Sequence, residues 1–343
     1  MKKHCLVTVL ALAAWTASAA WAIDQVRKND GTPPVSGQVT DMSPLKVVIE
    51  SSRGGGEIPV NQIAQVIFEG EPGALKTAKN AILAGRYEEG MTSLEKVELQ
   101  ESARKEVVQE FKFYKALASA KLALAGTGTI ADAGRMMIGF VAENPTSFHF
   151  FEASEVVGDL LVANRTYDRA AEYYGKLAQA PWPEYKIRAD VAIGKALVAQ
   201  NKAAEALKAF EAALAVQAQG DDADRLRAVA NLGKIRCTAE AAKPEEVVKI
   251  AEDLIAKTDP EQVTVMGGAY NILGTALKKA GRSKEALMAF LHVDVLYYSD
   301  ADAHAEALAN LAELWNTLQQ TERAVRARRT LDEQYPNSPW ARH

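Results

Sequence analysis

Cysteine is almost missing from this chain: there are two in 343 residues. One, Cys5, lies close to the N-terminus. Once a leader is removed, Cys237 has no partner, so a disulfide framework is excluded and Cys237 reads as a small buried apolar residue. An excess of positive charge is missing too. Lysine and arginine number 40 against 44 aspartates and glutamates, a net charge of −4. A general nucleic-acid binder needs a basic footprint, so nucleic acid is excluded as a partner. After the first residues, no apolar run approaches the ~20 residues of a membrane-spanning helix. No P-loop, dinucleotide fingerprint, nucleophile elbow, His-Glu-x-x-His or Cys-x-x-Cys occurs. The chain therefore offers no motif of catalysis, and we expect a non-enzymatic protein without cofactor or metal. The nearest approach to a ligand set is Asp300-Ala301-Asp302-Ala303-His304, whose acids suit the cap and first turn of a helix better than a metal.

What is present begins with a leader. Lys2 and Lys3, the apolar stretch Cys5–Ala14 and the small-x-small Ala20-Trp21-Ala22 read as a secretory signal peptide over residues 1–22. Export to the periplasm, the cell envelope or beyond is expected. Residues 23–34 are polar, end in Thr32-Pro33-Pro34, and read as a linker. Residues 35–70 change character. Val35, Gly37 and Val39 alternate with polar residues, Leu45–Ile49 is β-branched, Arg53-Gly54-Gly55-Gly56 is a turn, and Glu57–Val60 and Ile63–Phe68 are two more short strands. The outline Val-x-Gly-x-Val, Val-Val-Ile, a Gly-rich hairpin and Ile-x-x-Val-x-Phe resembles an SH3-like or Sm-like barrel. A barrel this small needs support from the helices that follow.

Glu71-Pro72-Gly73 marks the next boundary. From Ala74 to the end (74–343) the apolar period is about 3.6. The clearest unit is Asn271–Tyr298. Leu273, Gly274 and Leu277 share a face of one helix, Gly281 ends it, and Ala286, Phe290 and Val293 recur on a second helix. The same offsets return at Val157-Gly158, Leu161, Ala170, Tyr174 and Leu177. They return again at Ile193-Gly194, Leu197, Ala206, Phe210 and Ala213, and at Leu311-Ala312, Trp315, Ala324 and Leu331. This set resembles the tetratricopeptide repeat (TPR). The resemblance implies a mainly α, right-handed α-solenoid of about seven antiparallel helix pairs, preceded by the small antiparallel β-barrel-like domain. Turns fall near Gly85, Gly126, Asn164, Asn201, Ala242, Gly281 and Gln320. They recur about every 40 residues, longer than the 34 usual for a TPR, so other helix-pair repeats remain open. The last hairpin, with no further helix after Tyr335-Pro336, is expected to cap the stack by itself. Ser147–Phe151 reads as packing between repeats, and Trp182, between Pro181 and Pro183, as part of a rigid linker.

In TPR arrays the first helix of each pair lines the concave surface. Carried onto this chain, the resemblance puts Arg188 and Lys195, Arg227 and Lys234, and Asn271 and Lys278 in one groove. The residues of each pair are two helical turns apart on one face. This is similar in kind to the TPR carboxylate clamp, although the clamp's residue order is not reproduced. Glu152, Glu155 and Asp159 lie to one side, Glu306 and Glu313 to the other. The resulting expectation is an exported scaffold or adaptor that binds a protein or peptide, its acidic groups complementing the stripe. The alternative is a cell-envelope structural or polymer-binding protein, with the β-domain as anchor and the solenoid as spacer.

Overall fold

The computed structural model describes residues 23–51 and 55–342, with the backbone only at 342. The signal-peptide reading at 1–22, part of the Gly-rich turn and His343 lie outside the described residues.

Strands β1 (Asp24–Lys28), β2 (Val35–Met42), β3 (Lys46–Glu50), β4 (Gly56–Pro59) and β5 (Ile63–Ile67) form an antiparallel sheet in the order β4-β3-β2-β1-β5. A single 3-10 turn, Val60–Gln62, joins the two edge strands. Strand β2 serves two ladders: residues 35–37 pair with β1 and residues 38–42 with β3. It changes partners beside Gly37, where a Cβ would sit 2.1 Å from the carbonyl oxygen of Glu50. Residues 23–34 are therefore not simply a linker, and the described residues form five strands, not four. Strand β1 lies inside the sheet between β2 and β5. It escaped the alternation test because its two buried side chains are Val26 and the carboxylate of Asp24. Asp24 accepts hydrogen bonds from the backbone N–H of Val39 and of Glu69, each 2.8 Å, and pairs with Arg104 at 2.8 Å.

Among the described residues, fourteen α-helices follow as seven hairpins. They are α1 (Gly73–Leu83) with α2 (Tyr87–Leu94), α3 (Lys105–Leu124) with α4 (Ile130–Glu143), and α5 (Phe150–Ala163) with α6 (Tyr167–Leu177). Next come α7 (Pro183–Ala199) with α8 (Ala203–Ala215) and α9 (Asp221–Ala239) with α10 (Pro244–Lys257). The last are α11 (Val263–Lys279) with α12 (Ser283–Leu296) and α13 (Ala301–Thr317) with α14 (Thr321–Gln334). Six of the seven turns close alike. In the first, Arg86 N–H donates to Ala81 and Gly85 N–H to Ile82, and a left-handed residue, Gly85, reverses the chain. Gly126, Arg165, Asn201, Gly281 and Gln319 hold the same place in five others. This double bond satisfies carbonyls that a helix end leaves open. The turn from α9 to α10 has no left-handed residue and instead starts its second helix on Pro244.

Small residues let the helices of a pair approach, and one aromatic ring fills the gap. A Cβ on Gly158 would lie 2.2 Å from the Tyr174 ring, on Gly194 2.6 Å from Phe210, and on Gly274 2.7 Å from Phe290. First helices also touch first helices, α3 to α5 and onward to α13, which sets them side by side along one face.

The sheet does not stand apart from the solenoid. Val26, Ile49, Val66 and Phe68 share a core with Leu75, Ile82, Phe113 and Tyr114. At its centre Lys79, fully buried, donates to the Val66 carbonyl at 2.6 Å, pairs with Glu71 at 3.1 Å and pairs with Glu110. Glu110 also meets His149 at 2.8 Å, and the His149 ring stacks 3.6 Å from that of Phe113. Ser147–Phe151 is thus packing, as expected, but its histidine is ionically engaged. At the other end, a 3-10 turn over Pro339–Arg342 lies on α13 and α14. The final hairpin is therefore shielded by a short segment with a half-buried Trp340 and does not cap the stack bare.

Candidate functional site

The concave face is where the sequence placed its stripe, and the geometry divides the six residues. Arg188 on α7 reaches back to Glu155 on α5, 3.5 Å away, with its guanidinium over the Tyr185 ring. Lys278 on α11 reaches forward to Glu313 and Asn310 on α13. The acids expected to flank the stripe are therefore partners of its cations.

Two residues do not meet the expectation of groove contacts. Asn271 is fully buried and donates to the Ala303 carbonyl at 2.9 Å and to Glu306 at 3.3 Å, tying α11 to α13. Arg227 turns to the link before its own helix, donating to the carbonyls of Val216 (3.1 Å) and Ala218 (2.6 Å) and pairing with Asp224. Helical spacing shows which side of a helix a residue is on. It does not show whether a neighbouring carbonyl waits there. Lys234 has a long contact, 3.6 Å, to Glu211 on α8 and remains 42% exposed. Lys195 is exposed and is in no ion pair among the described residues.

Around Lys195 the charges are unusually placed. Asp159 on α5 accepts the Tyr174 hydroxyl at 2.9 Å. Burial raises its pKa, against the pull of Lys121 on α3, the Tyr174 hydrogen bond and Lys195. One turn away, burial pushes Glu155 up to about 7, opposed by Arg188 and Lys121 and assisted by Asp159. Two acids reluctant to ionise thus face two lysines, Lys121 and Lys195, neither of which is in an ion pair with a described residue. Lys121 was missed because the second hairpin lacks the Leu-Gly marker that aligned the others. Arg236 was missed too. It reaches Glu306, two hairpins on, at 2.6 Å, and Glu306 holds its pKa up.

Such a surface can bind charge. It shows no paired nucleophile and base, and the described residues include no group of His, Cys, Asp or Glu placed to hold a metal ion. In the Asp300–His304 stretch, Asp300 caps α13 through the Ala303 N–H at 2.9 Å, while His304 bridges Tyr335 (2.7 Å) and Asp294 (2.9 Å). Trp182 is not a bare linker residue: it packs 5.1 Å from Tyr185 and 6.4 Å from Phe151. No helix among the described residues is long and apolar enough to cross a membrane.

No family model matches the sequence, and no curated protein matches it. Among solved structures, the chain is similar to a Rap protein complexed with competence and sporulation factor. Identity there is 12%, over 78% of this chain and 74% of that one, with a TM-score of 0.49. It is similar to the apo form of RapI at 9% identity, over 78% and 76%, with a TM-score of 0.47. It is also similar to PilW, a widely conserved type IV pilus biogenesis factor, at 18% identity, over 70% and 98%, with a TM-score of 0.43. The helix-pair architecture of this chain stands on its own seven hairpins.

Proposed function

We propose that this protein is a non-catalytic scaffold that binds a protein or peptide segment on the concave face of hairpins two to five. The observation that carries the reading is the pair Lys121 and Lys195 beside Asp159 and Glu155. Cations in no ion pair among the described residues favour a ligand that brings negative charge. Arg188 and Lys234 extend the surface, with weaker claims because each already has a carboxylate within reach. Arg227, Asn271 and Lys278 serve the inter-hairpin framework, and their substitution acts on binding through it.

The leader pattern supports export, so the partner is sought in the cell envelope or outside. Whether the sheet belongs with SH3-like or Sm-like barrels is a matter of topology. Its order, with β1 between β2 and β5 and a 3-10 turn before β5, supports that assignment. A free-standing β-anchor on a spacer is disfavoured by the shared core around Lys79.

The test is affinity capture from envelope extract with the processed chain and with Lys121→Glu/Lys195→Glu. A defined protein partner lost from the variant, with its helical circular dichroism unchanged, is the expected result. Retention of that partner would move the binding surface off the concave face.

A further inference from the structure

The solenoid meets itself. Asn337, just beyond α14, donates its side-chain N–H to the carbonyl of Ala123, the penultimate residue of α3, at 2.9 Å. Beside it Pro336 covers the following turn. A Cβ on Gly126 would lie 2.6 Å from Pro336 Cγ, whereas at the turn glycines Gly85 and Gly281 it would meet nothing within 4 Å. The second turn is thus bare on the side where the C-terminal segment arrives.

The two halves of this contact are held very differently. On the side of the last hairpin the segment is firmly tied. Tyr335 is bound to His304, which is bound to Asp294, and Ser338 N–H donates to Tyr335. The contacts with the second hairpin include the Asn337 bond to Ala123 and the Pro336 ring over Gly126. The seam is not packed solid either: a cleft of about 400 Å³ opens between Gly128, Thr129, Ile130, Asn164, Arg165 and Asn337. Asp302, at the start of α13, adds a small part to the rise in the Asp159 pKa, which burial chiefly causes.

We propose that Tyr335–Asn337 is a clasp that closes the superhelix on itself and gates access of a partner's extended chain to the concave face. This rests on the concave face being the binding surface, but its test needs no partner. The Asn337 hydrogen bond to Ala123 and the Pro336 ring contact are neutral and local, weak beside a hydrophobic core, so an open minority is expected in solution. A closed ring admits an unfolded segment on opening and keeps folded domains out.

The experiment uses the processed chain with Cys237→Ser, in which Thr127→Cys and Glu333→Cys carry spin labels across the seam. The expected result is a dominant short distance with a minor longer one. Pro336→Gly/Asn337→Ala is expected to shift the balance to the longer distance with helical content unchanged. In parallel, Lys195→Cys is labelled with a small maleimide and with a polyethylene-glycol maleimide. In the clasp variant the bulky reagent is expected to react severalfold faster, and the small one at its former rate. Identical distance distributions with and without the clasp substitutions would overturn the proposal. So would a long distance in the parent chain, or equal acceleration of both reagents. None of these outcomes depends on whether Lys121 and Lys195 bind a partner.

Discussion

Single side chains set both the strength of this molecule and its sensitivity to pH. Phe290 is fully buried against Gly274, and Phe290→Ala should cost about 3–5 kcal/mol, read from urea denaturation. Lys79 is a second such centre. Lys79→Met leaves the buried Glu71 without its cation and Glu110 with His149 alone, so a loss of about 3–5 kcal/mol is expected at neutral pH. At that centre burial works against Glu110, but Lys79 and His149 outweigh it and hold the carboxyl below the usual range. For Glu71 burial wins and its pKa is raised. Glu155 behaves like Glu71. With its folded value near 7 and an ordinary value of 4.5, the native state holds a proton that the unfolded chain releases. Stability therefore falls as pH rises from about 4.5 to about 7, and stays lower above that window. Glu155→Gln should remove this fall and gain about 1 kcal/mol at pH 8, after allowance for its partial exposure, but nothing at pH 4. Melting curves of both proteins across pH check it. At this scale the Gly–aromatic pairs were legible in the sequence because both members repeat at fixed offsets. The roles of Asn271 and Arg227 were not legible, because their partners are backbone carbonyls, which no sequence pattern marks.

At the scale of the element, the hairpin turn is the unit that recurs. Its double hydrogen bond appears in six turns, but only some of them use glycine at the left-handed residue. Gln319 (φ 59°) and Arg165 (φ 59°) hold a conformation that costs an ordinary residue about 1 kcal/mol or more. Gln319→Gly should therefore stabilise the chain by about 0.5–1 kcal/mol. Equilibrium unfolding with an unchanged denaturant slope is the check, and a destabilisation would mean that the Gln319 side chain makes contacts worth more than the strain. The seven turns could be placed from the sequence because helical periodicity breaks at each one. Strand β1 could not. A five-residue strand whose inward positions are Asp24 and Val26 does not alternate in hydrophobicity, and the groups that satisfy Asp24 come from Val39, Glu69 and Arg104.

For the whole molecule, the shared core predicts joint behaviour of sheet and solenoid. A chain beginning at residue 74 loses Val26, Val66 and Phe68 from the core, and loses Glu71 and the Val66 carbonyl from Lys79. It should melt at lower temperature with its first hairpins frayed, seen as fast amide hydrogen exchange confined to α1–α4. Full-strength protection there would show that the sheet is an accessory. The general architecture was legible because repetition is a long-range property written many times over. The docking of sheet on helices was not, since it depends on one buried lysine that reads, in sequence, like any other surface cation.

The position of β1 also bears on timing. The strand that completes the sheet, between β2 and β5, is the first to follow the proposed leader. Were residues 1–22 held by export machinery, that strand would be tethered and β2 and β5 could not both close around it. Folding of the N-terminal third would then wait for processing, and such a precursor would stay pliable during transport. A precursor that resists protease as well as the processed chain does would show that no such delay exists.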